Sequence, residues 1–293
     1  MTKLIVSETC FKLIEQASTI LPKDVINALE KAKSRETNST AKSQLDAILR
    51  NIELAKDKKM PLCQDTGIFS FYLEAGTSFP NLDQIPTIIK DVVKKGTKEI
   101  PLRPNTVDPF TGENTGDNTG RNIPYIDWTI VSGDTLKITV LPKGGGSENV
   151  CKLGMLSASG GIKAVKSFVI NSIIEAGAKP CPPNIIGVGI GGGSDIAMKL
   201  AKKAVIKPIG ESHLNENVAN LEKELLHAAN MTGIGPMGLG GKTTILDVHI
   251  EYAHRHPASL PVAVVFQCWS ARRASAIITG DGRVKYLSHK EEI

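Results

Sequence analysis

The N-terminal part of the chain carries apolar residues at intervals of three and four, the spacing of amphipathic helices. Three helices are predicted within residues 7–58. Ser7 is expected to cap the first helix, Pro22 to start the second, and Ser39 or Thr40 to open the third. The apolar faces comprise Phe11, Leu13, Ile14 and Ala17, then Val25, Ile26 and Leu29, then Leu45, Ile48, Leu49 and Ile52.

After residue 58, short apolar runs alternate with amphipathic segments. Strands are predicted at 68–73, 125–131, 136–141, 185–190, 244–252 and 262–266, and helices at 82–95, 162–178, 195–204 and 221–229. Ser132-Gly133-Asp134, between two of these strands, predicts a β-hairpin. The pattern indicates an α/β fold with α+β character, in which helices flank a mixed, partly antiparallel sheet and the N-terminus is helical.

Two glycine-rich stretches imitate nucleotide-binding loops. Gly187, Gly189 and Gly192 match GxGxxG, but the first two fall inside a predicted strand and no convincing βαβ unit with a ribose-binding acid follows. The stretch ending at Gly241 has Pro236 where a phosphate-binding loop needs its first glycine. We therefore predict that the fold is not a Rossmann fold. An NAD-dependent dehydrogenase stays a distant alternative.

Composition narrows the classes of function. The 293 residues are 41% hydrophobic, enough for a sizeable core, and only 4% aromatic, which argues against a protein that stacks nucleic-acid bases. The net charge of +5 is spread along the chain, so it suits anionic small molecules and an ordinary solvated surface alike. No signal peptide is apparent, and no stretch approaches the ~20 apolar residues of a membrane span. We expect a cytoplasmic protein with neither a nucleic-acid nor a membrane partner.

The five cysteines, Cys10, Cys63, Cys151, Cys181 and Cys268, are far apart and odd in number, unlike a secreted disulfide framework. Cys10 is expected to be a small buried hydrophobe. Cys63, Cys181 and Cys268 are each flanked by turn or strand-end signals. Three thiolates on a cubane cluster leave one iron open as a Lewis acid. A three-cysteine zinc site and plain buried thiols are alternatives that the spacing leaves open.

Other polar groups stand at the ends of predicted strands. The segment Cys63–Gly67 brings a thiol, an amide, a carboxylate and a hydroxyl to the start of one strand. Arg103, beside Pro104 in a long polar loop over residues 101–124, is either a bidentate carboxylate ligand or an ordinary surface arginine. The three glycines at 144–146 can form an anion-binding nest or a flexible connector.

Seven segments, in the same order from about residue 7 to the end, resemble the iron–sulfur (class I) fumarate hydratases and L-tartrate dehydratases. They are PLCQDTG, ENTGDNT, KGGGSEN, AKPCPP, LEKEL, GLGGK and QCWSARR. The chain resembles the α subunit, or the N-terminal domain of one-chain enzymes. We therefore expect residues 1–293 to form one cluster-binding α-subunit domain, with a helical portion at about 1–58.

The resemblance implies a [4Fe-4S] cluster on three cysteines that correspond to Cys63, Cys181 and Cys268. It implies a hydro-lyase of the tricarboxylic acid cycle that hydrates fumarate reversibly to L-malate, with the open iron as Lewis acid. Dehydration of L-tartrate to oxaloacetate is the alternative, and a non-catalytic interaction subunit is a more distant one. The catalytic base is expected on a separate β subunit, in an α2β2 enzyme.

The resemblance also assigns substrate contacts. Gln64 and Asp65 are expected to touch the dicarboxylate substrate, as is Arg103, and Asp65 is expected to assist proton transfer. One amide of the glycine stretch is expected there as well, for which Gly145 is chosen. His256 is expected to reach a substrate carboxylate in its own or a neighbouring subunit's site.

Overall fold

The computed structural model describes residues 2–289, which form two compact units. The first comprises residues 2–23, 51–144 and 272–289, and the second comprises residues 24–50 and 145–271. Each unit has its own sheet and its own apolar core. Residue 1 and residues 290–293, the ends of the expected domain, lie outside the described residues. Within residues 2–289, no helix combines the length and the apolar character that crossing a bilayer requires.

The order of elements confirms a helical N-terminus followed by mixed strands and helices. The helices are α1 (Thr2–Thr19), α2 (Lys23–Arg35), α3 (Ser39–Lys58), α4 (Ile85–Glu99), α5 (Gly145–Glu148), α6 (Gly161–Ala176), α7 (Ser194–Ala204) and α8 (Glu216–Asn230). The strands are β1 (Ile68–Gly76), β2 (Tyr125–Val131), β3 (Thr135–Lys143), β4 (Lys152–Leu156), β5 (Asn184–Ile190), β6 (Ile245–Tyr252), β7 (Leu260–Gln267), β8 (Ala274–Thr279) and β9 (Val284–Tyr286).

Helix α1 begins before the predicted cap. Ser7 lies inside the helix, so its predicted role as an N-cap is wrong. Val6 continues the apolar face of Cys10 and Leu13 by one further turn, and all three side chains are buried. Packing of Val6 therefore extends the helix toward the N-terminus. Cys10 is fully buried as expected, and burial raises the pKa of its thiol to about 12.

The first unit contains a mixed five-stranded sheet with the order β2-β1-β3-β8-β9. Strand β1 is parallel to β2 and antiparallel to β3. Phe69, Phe71 and Leu73 alternate along β1 into the core, which α1 and α4 complete. This sheet confirms the predicted mixed, partly antiparallel character.

The predicted hairpin at residues 132–134 is wrong, because β2 and β3 are not neighbours in the sheet. The end of β1 takes the hydrogen bonds that a hairpin would use. The Thr77 amide donates to Val131 O at 2.9 Å, and the Ser78 amide donates to Gly133 O at 2.9 Å. Gly76 permits this approach, since a Cβ there would lie 2.4 Å from Gly133 O. Turn chemistry alone did not reveal that a strand far back in the sequence passes between the two.

The second unit contains a mixed four-stranded sheet with the order β4-β7-β5-β6. Strand β5 is parallel to β6 and antiparallel to β7, and β4 is antiparallel to β7. Helices α6 and α8 form a core with one face of the sheet, and α7 packs on β5, β6 and β7.

Two of the three glycines in the GxGxxG match allow a helix to pack closely on the sheet. A Cβ at Gly187 would lie 2.2 Å from Ala201 O, and one at Gly189 would lie 1.9 Å from Ala197 O. Both glycines lie within β5, and because they lack side chains the backbone of α7 can approach this strand closely. The prediction that the fold is not a Rossmann fold is confirmed by the mixed order of both sheets.

Gly189→Ala is expected to destabilise the protein by about 1–3 kcal/mol, because the added methyl group would displace α7 from the sheet. Gly96→Ala is the matched control. Its added Cβ meets only the side chains of Ile14 and Ile100, at 3.5–3.9 Å, and it lies within α4. We expect this control to be stabilising by about 0.5–1 kcal/mol. Urea unfolding of both variants measures the difference, and equal midpoints would contradict the packing role of Gly189.

Candidate active site

The pairing in the first sheet brings three connecting segments to the end at which β3 finishes. Ile68, the first residue of β1, pairs with Lys143, the last of β3, so the Cys63–Gly67 segment lies at the end where β3 finishes. Strand β8 begins opposite Val140 of β3, which brings the residues just before β8 to this end. The start of β2 lies beside β1 in parallel, so the last part of the 101–124 loop also arrives here.

The Cys63–Gly67 segment is a structured turn. Asp65 Oδ1 accepts a hydrogen bond from the Gly67 amide at 2.9 Å, the geometry in which aspartate stabilises a turn. Gly67 has a φ of 82°, and a Cβ there would lie 2.8 Å from the Lys143 backbone nitrogen. The turn is therefore fixed against the end of β3. Gln64 is exposed and Cys63 is half-buried, so both reactive groups are accessible.

Thr66 fixes the backbone of the Arg103 loop to this turn. Its buried hydroxyl accepts from the Arg103 amide at 3.1 Å and from Asn105 Nδ2 at 3.1 Å, and it donates to Arg103 O at 3.2 Å. A hydroxyl has one donor and two acceptor positions, and all three are used. The Arg103 side chain itself is exposed. The guanidinium therefore extends into solvent from a backbone that is held in place.

Asn118 provides a second connection inside the same loop. Its Nδ2 donates to Arg103 O at 2.9 Å and to Thr97 Oγ1 at 3.1 Å, and its Oδ1 accepts from the Asn105 amide at 2.6 Å. Asn118 is 1% exposed and has a φ of 59°. An asparagine tolerates this left-handed conformation better than most residues do. The long polar loop is thus ordered by its own amides and hydroxyls.

The carboxylate of Asp117 stabilises the neighbouring turn of the loop. Partial burial acts to raise the pKa of Asp117. Hydrogen bonds from Thr119, at 2.7 and 3.0 Å, and the charge of Lys94, 3.7 Å away, act to lower it, and together they outweigh the effect of burial. The pKa of Asp117 therefore lies below its ordinary value, and the group is ionised at neutral pH.

The second unit brings Cys181 and Cys268 to one end of its sheet. Cys181 precedes β5 and Cys268 follows β7, and these strands are antiparallel with Ile185 opposite Gln267. The Trp269 amide donates to Cys181 O at 3.1 Å. Cys181 has a φ of 52°, a strained conformation for a residue with a Cβ. Such strain is typical of functional sites.

Two glycine-rich segments lie at the same end of this sheet. Strand β4 begins opposite Val264, near the end of β7, so the residues before it arrive here, and a Cβ at Gly146 would lie 3.3 Å from Lys179 O. Gly145 is exposed at the start of α5. The segment that imitates a phosphate-binding loop packs on the turn that contains Cys181, since the Met237 amide donates to Pro182 O at 2.7 Å.

His256 does not lie with these residues. It is exposed in the connection that precedes β7, whereas Cys268 follows that strand. Eight residues of β7 at about 3.3 Å each separate the two ends by roughly 26 Å. His256 Nδ1 accepts from the Ala258 amide at 3.1 Å. Within the second unit, the structure brings Gly145, Cys181 and Cys268 to one end of the sheet and His256 to the other.

The cysteines offer suitable donors for an iron–sulfur cluster. Cys63, Cys181 and Cys268 are half-buried thiols outside disulfides, and soft thiolates are the ligands that such clusters take. Beside Cys268, Gln267 Oε1 and Ser270 Oγ are buried and have no hydrogen-bond partner among the described residues. The donor chemistry therefore fits. Within residues 2–289, no three histidine, cysteine, aspartate or glutamate side chains lie close enough together to hold a metal ion.

Sequence reasoning missed the buried Arg272. It is 1% exposed and donates from a terminal guanidinium nitrogen, Nη1, to the backbone oxygen of Asp65 at 2.8 Å. The available signal was an arginine pair, Arg272-Arg273, among small residues directly before an apolar run. Thr66 and Asn118 were also not assigned roles, because their hydrogen bonds span distances in sequence that no local pattern reveals.

The family model described as fumarate hydratase (Fumerase) matches residues 7–277, so the chain belongs to the class I fumarate hydratase and L-tartrate dehydratase family of hydro-lyases. The resemblance read from the seven sequence segments is thereby confirmed.

The curated relatives bear the name of one subunit. The chain is 46% identical to a protein of Methanocaldococcus jannaschii named putative L(+)-tartrate dehydratase subunit alpha, over 95% of this chain and 99% of that protein. It is 39% identical to the L(+)-tartrate dehydratase subunit alpha of Escherichia coli O157:H7, over 93% of this chain and 90% of that protein. The corresponding protein of Escherichia coli K12 is 38% identical over the same shares.

Thr66→Val should lower the free energy of unfolding by about 1–3 kcal/mol, because it removes the hydroxyl that the Arg103 and Asn105 donors share. Thr66→Ser keeps the hydroxyl and is the matched control, for which we expect a much smaller loss. Urea unfolding of the full chain measures both. If the two variants are equally destabilised, the methyl group of Thr66 matters rather than its hydrogen bonds.

Proposed function

We propose that this chain is the α subunit of a hydro-lyase that interconverts fumarate and L-malate. The observation that carries the proposal is the arrangement in the first unit, where Gln64 and Asp65 lie on a fixed turn to which Thr66 connects the Arg103 backbone. In the proposed site, the amide of Gln64, the carboxylate of Asp65 and the guanidinium of Arg103 act together on one small anionic molecule. Membership of the family supports the reaction class.

In the proposed reaction, water adds across the double bond of fumarate, with hydroxide joining one carbon and a proton joining the other. The exposed Arg103 guanidinium binds a substrate carboxylate through paired hydrogen bonds. Gln64 orients the substrate, and the Gly145 amide stabilises charge that develops on a carboxylate in the transition state. Asp65 assists proton transfer through its carboxylate.

Cys63, Cys181 and Cys268 are the proposed ligands of a [4Fe-4S] cluster. When bound, the cluster would supply a Lewis acid at the one iron that has no cysteine ligand. The strained backbone of Cys181 supports this assignment, as do Gln267 Oε1 and Ser270 Oγ beside Cys268, which have no hydrogen-bond partner within residues 2–289. The half-buried state of the three thiols also supports it, because a ligand must be reachable by cofactor and substrate.

We further propose that residues 1–293 constitute one α-subunit domain that acts with a separate β subunit in an α2β2 enzyme. Support comes from the relatives, whose names specify subunit alpha. The β subunit would provide the catalytic base. His256, which lies far from Cys268 along β7, is proposed to reach a carboxylate in a neighbouring subunit's site.

L-tartrate is the second candidate substrate, and the names of the relatives favour it. Loss of water from L-tartrate gives an enol that becomes oxaloacetate. Tartrate carries one more hydroxyl group than malate. A site that donates to that hydroxyl would discriminate strongly against malate, because the donor would stay unpaired.

The deciding experiment is an assay of the anaerobically reconstituted complex of this chain with its β subunit. We expect kcat/KM to be at least about 10-fold higher for malate and fumarate than for L-tartrate, because a site built for malate would bury the extra hydroxyl of tartrate without a hydrogen-bond partner. A higher value for L-tartrate would select the second candidate. No turnover of either substrate by a cluster-loaded complex would contradict the hydro-lyase proposal.

Cys63→Ser should abolish the visible absorbance of the cluster and the activity together, because a serine hydroxyl is a poor replacement for a thiolate ligand. Cys151→Ser is the matched control, since Cys151 is also half-buried but is not a proposed ligand. Iron content, absorbance and turnover are measured for both variants. A colourless and fully active Cys63→Ser complex would rule out the assignment.

A further inference from the structure

Arg272 is the largest fully buried side chain in the described part of the chain, and it contacts the backbone of Asp65, the residue proposed to assist proton transfer. Removal of a guanidinium from water is costly unless the protein supplies hydrogen bonds and charge in return. A buried arginine in the middle of a domain therefore indicates a specific function for that cation. Nothing in the roles proposed above uses it.

The side chain of Arg272 contacts Asp65. Its Nη1 donates to the backbone oxygen of Asp65 at 2.8 Å, across 207 positions of sequence. Its Nη2 and Asp65 Oδ2 lie 3.4 Å and 3.0 Å from the position that a Cβ of Gly144 would occupy. The guanidinium and the carboxylate thus occupy the space that the missing side chain of Gly144 leaves. Arg272 Nε is buried and has no hydrogen-bond partner among the described residues.

Two hydrogen bonds fix different parts of Asp65. The Gly67 amide fixes carboxylate oxygen Oδ1, and Arg272 fixes the backbone oxygen. The carboxylate has two rotatable side-chain bonds, so its position depends on both constraints. A group that transfers a proton must be placed within a fraction of an ångström, and misplacement by about 1 Å can cost about 100-fold in rate.

We propose that Arg272 is the positioning residue of Asp65, and that Gly144 is glycine because a side chain there would separate the two. Arg272 acts through Asp65 and does not itself touch the substrate. This inference rests on the proposed function, in which Asp65 takes part in proton transfer. The inference adds to the proposed site a residue of the first unit that fixes the Asp65 turn.

The test is a double-mutant cycle in the reconstituted complex, with Arg272→Lys and Asp65→Asn as the two changes. Arg272→Lys keeps the charge and loses the planar fork. We expect it to lower kcat by about 10-fold to 100-fold, with iron content retained. In the Asp65→Asn background the same change should have an effect of less than about 3-fold, since residues that act as a unit are not additive. Equal effects in both backgrounds would overturn the proposal.

A second readout is independent of activity. Hydrogen exchange of the full-length chain should show faster exchange at residues 64–67 in Arg272→Lys, because the Asp65 carbonyl loses its donor. Arg283→Lys is the matched control, since Arg283 is 81% exposed in its side chain and pairs with Asp281. We expect no change at residues 64–67 in the control. Unchanged exchange in Arg272→Lys would also overturn the proposal.

The outcomes separate the two hypotheses. If the wild-type complex turns over neither malate nor tartrate, the proposed function fails, and the exchange measurement still decides whether Arg272 fixes the turn. If the wild-type complex is active and the cycle is additive, only the role of Arg272 fails. Should Arg272→Lys not fold, Gly144→Ala leaves the arginine in place and puts a methyl group 3.0 Å from Asp65 Oδ2 and 3.4 Å from Arg272 Nη2. Its cycle with Asp65→Asn then takes over the test.

Discussion

Antiparallel strand pairing is the constraint on which the candidate site depends. In an antiparallel pair, the residues before one strand lie beside the residues after the other. The pairing of β1 with β3 applies this rule to the Asp65 turn and Gly144, and the pairing of β5 with β7 applies it to Cys181 and Cys268. Groups about 80 residues apart thus become neighbours within each unit. Which residues become neighbours depends on the register of the paired strands, because a slip of one residue turns every side chain of a strand to the opposite face.

Sequence periodicity predicted the elements whose stability is mostly local. The N-terminal helices and the apolar strands of both sheets were found because burial on one face leaves a readable pattern. Strands β4 and β8 were not predicted, since Gly154 interrupts one and small residues dominate the other. The wrong hairpin at residues 132–134 has a related cause. Its turn residues were judged by local chemistry, while the end of β1 decides the pairing.

The candidate site divides along the same line. Reactive side chains clustered in sequence, such as Gln64 and Asp65, were recognisable from the order of residues alone. The groups that hold them were not, since Thr66 and Arg272 connect to residues 37 and 207 positions away. Glycines illustrate the difference well. Gly189 fitted a nucleotide-binding pattern by its spacing, but the approach of α7 explains why that position lacks a side chain.

The fixed backbone of Arg103 has a consequence for the thermodynamics of ligand capture. A loop that orders only when a ligand arrives loses about 1–2 kcal/mol of backbone entropy for each residue that becomes fixed. The backbone at Arg103 is fixed by groups of the protein itself, because Thr66 and Asn118 form hydrogen bonds with both backbone groups of Arg103. Only the rotamers of one long side chain remain to be restricted, at a cost of up to about 2 kcal/mol. The Arg103 side chain can therefore adjust to substrate carboxylates of slightly different shape while the backbone of its loop stays unchanged.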